Sequence, residues 1–263
     1  MSLNARQAEI LKCVREQGFV SVENLVAHFG VTAQTIRRDI NNLCDEGLLR
    51  RFHGGAGLPS SAENIAYDTR KVMHLDAKEL IASMVARYIP DGATLFLNLG
   101  TTTEEVARRL TDHEGLRVIT NNIHVAIALG RGIHSEVLIS GGFIRSRDLG
   151  ITGESTVDFV RQFRVDYGII GVSSIEEDGT LRDFDYREVK VTEAIMEQSR
   201  EVLLVADHSK FGRNALVRLG HLSDVDVLFT DQPPPSSMRD ALASAGIKVL
   251  TPEDSIDLAV SAT

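Results

Sequence analysis

Cysteine is nearly absent from this chain of 263 residues: Cys13 and Cys44 are the only two, with no Cys-x-x-Cys and no Cys/His grouping at metal-ligand spacing. That excludes a disulfide scaffold and the common zinc motifs, and leaves two packed, reduced thiols. Long apolar runs are missing as well. None approaches the roughly 18 residues of a membrane span, and the start, MSLNARQAEI, lacks the apolar stretch of a signal peptide. The chain is therefore expected to be cytoplasmic, with no membrane partner, no metal and no cofactor. Positive charge is also in deficit, the formal net charge being −9. A chain whose whole surface binds nucleic acid is excluded by that balance.

The deficit is uneven. Residues 1–57 carry seven Lys/Arg against six Asp/Glu, and the remainder 21 against 31. Any nucleic acid would meet the first part alone. Hydrophobic residues make up 43% of the chain, enough for real cores in one large domain or two smaller ones.

In the first sixty residues, Ile10, Leu11 and Val14 fall at helical spacing. SVENLVAHFG offers Ser21 as N-cap, Leu25, Val26 and Phe29 as a buried side, and Gly30 as a stop. A third helix follows at once, with Thr32 as N-cap and Gly47 as terminator. The short Gly-containing turn predicts a helix-turn-helix.

At about 100° per residue, Ile36, Ile40 and Leu43 share one face of the third helix, while Gln34, Arg38 and Asn41 lie opposite, flanked by Arg37. Amides and guanidinium groups near a helix N-terminus suit major-groove reading of adenine and guanine edges. The candidate DNA-contacting residues are Thr32, Gln34, Thr35, Arg37, Arg38 and Asn41. Arg50, Arg51 and His53 join them from a β-wing turned at Gly54-Gly55. Asp39 is expected to pair with a neighbouring Arg. His28 and His53 are read as packing or phosphate-contact residues rather than metal ligands.

Residues 58–75 open on Pro59-Ser60-Ser61 and show no clear periodicity, which predicts a linker, partly helical near its end. From Asp76 the pattern alternates between helices and short apolar runs: TLFLNL, LRVIT, EVLIS, VDYGIIGV, EVLLVAD, VDVLFTD and IKVLT. That alternation predicts an α/β domain over 76–263 with a largely parallel sheet and ligands at the C-terminal strand ends.

Those ends are polar. Asn98-Leu99-Gly100-Thr101-Thr102-Thr103 opens a helix, where glycine admits an anion to unpaired N–H groups and Thr101 or Thr102 could form a capping box with Glu104 or Glu105. Asn121 and Asn122, Gly141 and Gly142 with Arg145 and Arg147, and Lys210 in ADHSKFGR stand at other strand ends. Together they predict a site for a phosphorylated small molecule. Glu188 reads as a surface or structural acid.

The string TIRRDINNLCDEGLLRRFHGGA resembles the DNA-binding signature of the DeoR family of repressors. LGTTTEEVA, VITNN, ISGGFIRSRD and ADHSKFGR resemble that family's sugar-phosphate sensor, in the family's order over nearly the whole chain. The resemblance implies a winged helix-turn-helix over 1–57 and a C-terminal α/β sensor domain similar to ribose-5-phosphate isomerase. It also implies a homo-oligomer bound to double-stranded operator DNA. FDYREVK, DHSKFGRNALV and TDQPPPSSM are similar to a branch that represses glycerol-catabolism genes and is released by sn-glycerol 3-phosphate. One position departs: the family commonly has Asp two residues before the glycine of the threonine loop, and here it is Asn98, which can bond a hydroxyl but carries no charge.

Two alternatives stand beside this reading: a sugar-phosphate isomerase with a DNA-binding extension, and a repressor sensing a different sugar phosphate. Isomerisation requires a base matched to its task. No convincing acid–base pair is visible, so no catalytic residue is expected and the phosphate reads as a signal. Release then follows by linkage, the effector binding an arrangement other than the DNA-competent one.

Overall fold

The computed structural model describes residues 3–17, 19–52, 55–57, 67–132 and 134–254. Contacts divide the chain into two compact units, Met1–Ile65 and Ala66–Thr263. The second begins inside the stretch expected to be a linker.

In the first unit α1 (Ala5–Gln17) leads to β1 (Phe19–Ser21), α2 (Val22–Phe29), α3 (Ala33–Asp45), β2 (Arg50–Phe52) and β3 (Gly55–Gly57). Each turn has a local cause. The Ser21 hydroxyl accepts from Asn24 N at 3.1 Å and starts α2. Gly30 stops it in the left-handed region at φ 64°, where a Cβ would be strained. Thr32 then caps α3, accepting from Thr35 N at 3.3 Å. Ile10, Val14, Leu25, Ile36, Ile40 and Leu43 are buried together in one small core. Val26 and Phe29 pack only partly buried at its margin. The strands pair antiparallel in the order β1-β3-β2. β1 was not foreseen, because its three residues become a strand only through pairing with Gly55–Gly57.

The second unit opens with two helices, α4 (Tyr67–Val72) and α5 (Leu75–Tyr88). β4 (Thr94–Leu97), α6 (Thr101–Arg109), β5 (Leu116–Thr120), α7 (Ile123–Gly130) and β6 (Ser135–Ile139) follow. A small hairpin of β7 (Phe143–Ile144) and β8 (Ile151–Thr152) precedes α8 (Glu154–Val160) and β9 (Val165–Gly171). Then come β10 (Ser174–Ile175), β11 (Thr180–Asp183), α9 (Tyr186–Glu197), β12 (Ser199–Val205) and β13 (Val217–His221). β14 (Val227–Phe229), α10 (Arg239–Ala245) and β15 (Lys248–Leu250) complete it.

Seven strands form one sheet in the order β15-β14-β12-β9-β4-β5-β6, every neighbouring pair parallel. Successive side chains on a strand face opposite ways, so Leu95 and Leu97 enter one core with residues of α5, α6 and α7, while Phe96 enters the other with residues of α9. From β4 the chain runs outward to β6 and returns to β9 on the far side of β4. Strand order therefore reverses between β4 and β9, where α/β sheets place their ligands. Asn98 to Thr103 leave β4 at that crevice.

Candidate DNA-reading face and anion site

On α3 the apolar face is buried and the opposite side is open. Gln34, Arg37, Arg38, Asn41 and Thr32 are exposed, and Thr35 is half-buried. These groups border an open concavity of about 760 Å³ against the start of α1. Asp39 does pair with an arginine: Arg6 Nε donates to its Oδ2 at 2.6 Å from α1. That bond, largely shielded on the Asp39 side, orients the helix and leaves Arg37 and Arg38 unneutralised by it. Arg51 Nη1 donates to Asn41 Oδ1 at 3.0 Å, so the strand after α3 holds one amide of the reading face. Thr32 and Thr35 hydroxyls lie 3.0 Å apart at the helix start. Arg50 is placed in β2 by its backbone alone, and His53 lies outside the described residues.

Because Arg38 lies opposite the buried face, Arg38→Ala should leave folding intact. Operator affinity should fall by about 1–3 kcal/mol with relaxed preference at one base pair. Titrations of the operator and single-base variants check it.

In the sensor unit, the expected capping box is absent. The N-cap of α6 is Gly100 at φ 147°, ψ 148°, with no side-chain cap. The helix thus starts one residue earlier than a threonine cap requires, and its first N–H groups lack side-chain acceptors. Glu104 instead accepts from Tyr67 Oη at 2.7 Å and Asn122 Nδ2 at 3.3 Å, and Glu105 pairs with Arg108. Thr103 Oγ1 lies within bonding distance of the Asn98 and Gly100 carbonyls, 2.8 and 2.7 Å. It shapes the loop from inside. Thr101 and Thr102 are buried beside it.

The two asparagines after β5 differ. Asn122 is engaged, its Oδ1 accepting from His124 N at 2.9 Å to cap α7. Asn121 Nδ2 donates to Ile151 O at 3.1 Å, but its Oδ1 is buried without a partner, as is Asn98 Oδ1. Asn98 Nδ2 donates to Thr192 Oγ1 of α9 at 2.8 Å. Buried acceptors without donors are costly and uncommon in native proteins. Hydroxyl groups of a ligand would satisfy both.

Two expected anion ligands are engaged elsewhere. Arg145 Nε and Nη2 donate to both Asp148 oxygens at 3.1 and 2.6 Å, and its Nη1 to Asp185 and Glu188 at 3.0 and 2.7 Å. Arg147 Nη2 donates to Asp185 at 3.2 Å. The geometry makes Arg145 the centre of a half-buried ion cluster. Within it, burial and neighbouring Asp183 raise Glu188 to about 7 against the pull of Arg145. Gly141 and Gly142 are exposed at the end of β6. Gly142 is required for packing, since a Cβ there would overlap Thr156 Oγ1 and Ile151.

A separate group of cations lies elsewhere in the sensor unit. Lys210, Arg213, Arg70 and Lys78 lie close enough for mutual repulsion, with Asp207 among them. Lys210 falls to about 8 through burial and those three neighbours, although Asp207 opposes the shift. Arg70 Nε is buried without a partner, and Arg70 Nη2 lies 4.0 Å from Asp148. Lys78 Nζ holds the end of α4, donating to the carbonyls of Arg70 and of Met73, the latter at 2.6 Å. Burial depresses Lys78, which is only 3% exposed. Desolvated like charges packed close together are what an anion would relieve. Arg70, Lys78 and Arg213 were not among the residues singled out in the sequence. α4 has six residues and no legible apolar period.

Models of known families match both units: the DeoR-like helix-turn-helix domain over residues 6–62 and the DeoR C terminal sensor domain over 73–232. The chain is 49% identical over 249 residues to the glycerol-3-phosphate regulon repressor of Escherichia coli (strain K12), covering 95% of this chain and 99% of that one. It is 51% identical to the Haemophilus influenzae glycerol-3-phosphate regulon repressor over 89% of this chain and 91% of that one. It is 42% identical to the HTH-type transcriptional repressor CsqR of Escherichia coli (strain K12), over 95% and 96%. Among solved structures, ribose 5-phosphate isomerase a from Methanocaldococcus jannaschii overlaps 52% of this chain and 54% of that one at 14% identity and a TM-score of 0.39. So slight a likeness carries no inference. No helix among the described residues is long and apolar enough to cross a membrane. Both domain matches, and identity along nearly the full length of known repressors, place the chain in the DeoR family of transcriptional repressors.

Proposed function

We propose that this chain represses genes of glycerol or sugar-phosphate catabolism and leaves its operator when a phosphorylated polyol, sn-glycerol 3-phosphate, fills the crevice at β4 and β9. The observation that carries the reading is the uncapped α6 N-terminus at the sheet's switch point. It shares that sheet edge with Lys210 and Arg213, whose side chains donate no hydrogen bond to any described residue, with Asp207 as their neighbouring carboxylate. The helix end and the cations take the phosphate. Asn98 and Asn121 Oδ1 accept from the hydroxyls, which a neutral amide does without carrying a charge.

Transmission runs through α4, which follows residues 58–66 in sequence. Tyr67 binds Glu104 of α6 and stacks on His124 at 5.2 Å, while Lys78 grips the other end of α4. An anion at the α6 N-terminus draws Arg70 toward it and resets that attachment. The effector thereby favours a state other than the DNA-competent one. Titrating operator complexes with glycerol 3-phosphate, fructose 6-phosphate, ribose 5-phosphate and glycerol tests the reading. Release by glycerol 3-phosphate ahead of the others is expected, and release by none of them overturns it.

The pH dependence has a definite sign. Lys210 has a pKa of about 8 without ligand, and a bound phosphate raises it by stabilising the charged form. Binding therefore takes up a proton above that pH. Effector affinity should be flat just below pH 8 and fall as pH rises past it. Calorimetry in buffers of differing ionisation enthalpy measures the uptake, which Lys210→Arg should remove.

We also assign a cytoplasmic homo-oligomer. One helix-turn-helix grips a short half-site, so tight operator binding needs at least two copies. Sedimentation should show a dimer or larger; a monomer binding one half-site tightly at physiological salt contradicts it.

A further inference from the structure

Apart from both sites, three ligand-bearing side chains of different chemistry meet on the first unit. Glu9 and Cys13 stand four residues apart on α1, hence on one face, and His28 comes from the last turn of α2. A Glu9 carboxylate oxygen, Cys13 Sγ and a His28 ring nitrogen all lie within 4.8 Å of one another. No spacing motif announces this group, because the third ligand arrives from another helix.

We propose that Glu9, Cys13 and His28 bind one divalent transition ion of the zinc class, with water as fourth ligand. Sulfur, nitrogen and oxygen donors at about 2.0–2.3 Å from a tetrahedral ion lie about 3.3–3.8 Å apart, and small side-chain rotations close the observed separations. Among the described residues nothing strong competes for the donors: Cys13 is a free, partly buried thiol, and Glu9 there meets exposed Lys12 alone, at 3.6 Å. The His28 ring rests on the edge of Phe29 at 4.6 Å, which limits its rotation and leaves its nitrogens available. On binding, the Cys13 thiol gives its proton to solvent and the thiolate coordinates. The ion ties α1 to α2, two helices of the scaffold that carries α3, in a unit small enough for one such tie to matter.

The test uses the full chain, stripped of metal by a chelator and titrated with Co²⁺ and then Zn²⁺. One Co²⁺ per chain is expected, with a thiolate-to-cobalt charge-transfer band and tetrahedral ligand-field bands, displaced by Zn²⁺. Cys13→Ser should remove the charge-transfer band. His28→Ala, a substitution at an exposed position, should weaken binding at least tenfold without unfolding the chain. Zn²⁺ should slow alkylation of Cys13 and leave that of Cys44 unchanged, an internal control in the same molecule. A folded wild-type chain that gives no charge-transfer band, or whose Cys13 alkylates equally fast with and without Zn²⁺, overturns the proposal.

Discussion

Lys210→Ala should yield a repressor that binds its operator normally and no longer releases it at effector concentrations that free the wild type. The substitution removes a charge-assisted contact to phosphate, worth about 1.5–3 kcal/mol, or roughly a tenfold to hundredfold rise in the effector concentration needed. Operator affinity without effector should survive, since the reading face on α3 supplies its own cations. Asp207 is the side effect to control for. Burial drives its pKa upward, and Lys210 with the Ser209 donors outweighs that and holds it below the usual range. Without Lys210 the carboxyl still accepts from Ser209 N at 2.9 Å and still faces Arg213, so the sensor should fold with modest loss. A thermal melt of the variant separates lost folding from lost release. Unchanged release would make Lys210 a bystander. Lost operator binding in a folded variant would give it a role in the DNA-competent state.

Arg145→Ala should have the largest effect on stability, up to about 3–5 kcal/mol, because it strips the counter-charge from carboxylates largely shielded from water. Asp148 is 7% exposed, and Asp185 and Glu188 both accept from the same guanidinium. Arg147 and Arg70 remain close to the cluster, at 3.2 Å from Asp185 and 4.0 Å from Asp148, and limit the loss. The sign with pH follows from the acids. Glu188 loses the cation that pulls its pKa down, so its folded pKa rises further above the unfolded one, and the deficit is greatest at neutral pH and shrinks as acidification protonates it. Urea unfolding at pH 7.5 and 5.5, followed by a sensor-unit probe, measures both. Equal stability of variant and wild type at neutral pH contradicts the cluster's assigned role.

The contrast between these two residues shows what the chain discloses before it folds. The exposed polar face of α3 was legible because its pattern is local: Ile36, Ile40 and Leu43 repeat at the helical period and leave Gln34, Arg38 and Asn41 outside. The parallel sheet was legible for a similar reason, each strand being a continuous apolar run. Arg145 was not, since its acceptors Asp185 and Glu188 lie 40 and 43 residues away and meet it only through the fold. Arg70 was hidden in a short helix without an apolar stripe. The hairpin of β7 and β8 has strands of two residues, too short for any alternation to register. At the threonine loop the local rule misled, because Thr-x-x-Glu suggests a cap while Gly100, at a positive φ of 147°, starts the helix instead. That same feature leaves the helix start without a side-chain cap.

The claim that the phosphate is a signal rests on what happens to it after binding. Glu188, the carboxyl nearest neutrality, is held by Arg145 at 2.7 Å inside an ion cluster, the placement of a structural group rather than a base. The decisive measurement follows operator-bound protein by fluorescence anisotropy as glycerol 3-phosphate is added, with phosphorus and carbon NMR of the same sample. Saturable release with glycerol 3-phosphate recovered unchanged, and no turnover of ribose 5-phosphate in a parallel sample, is the predicted result. Conversion of either phosphate ester, or an operator complex indifferent to glycerol 3-phosphate, would contradict it.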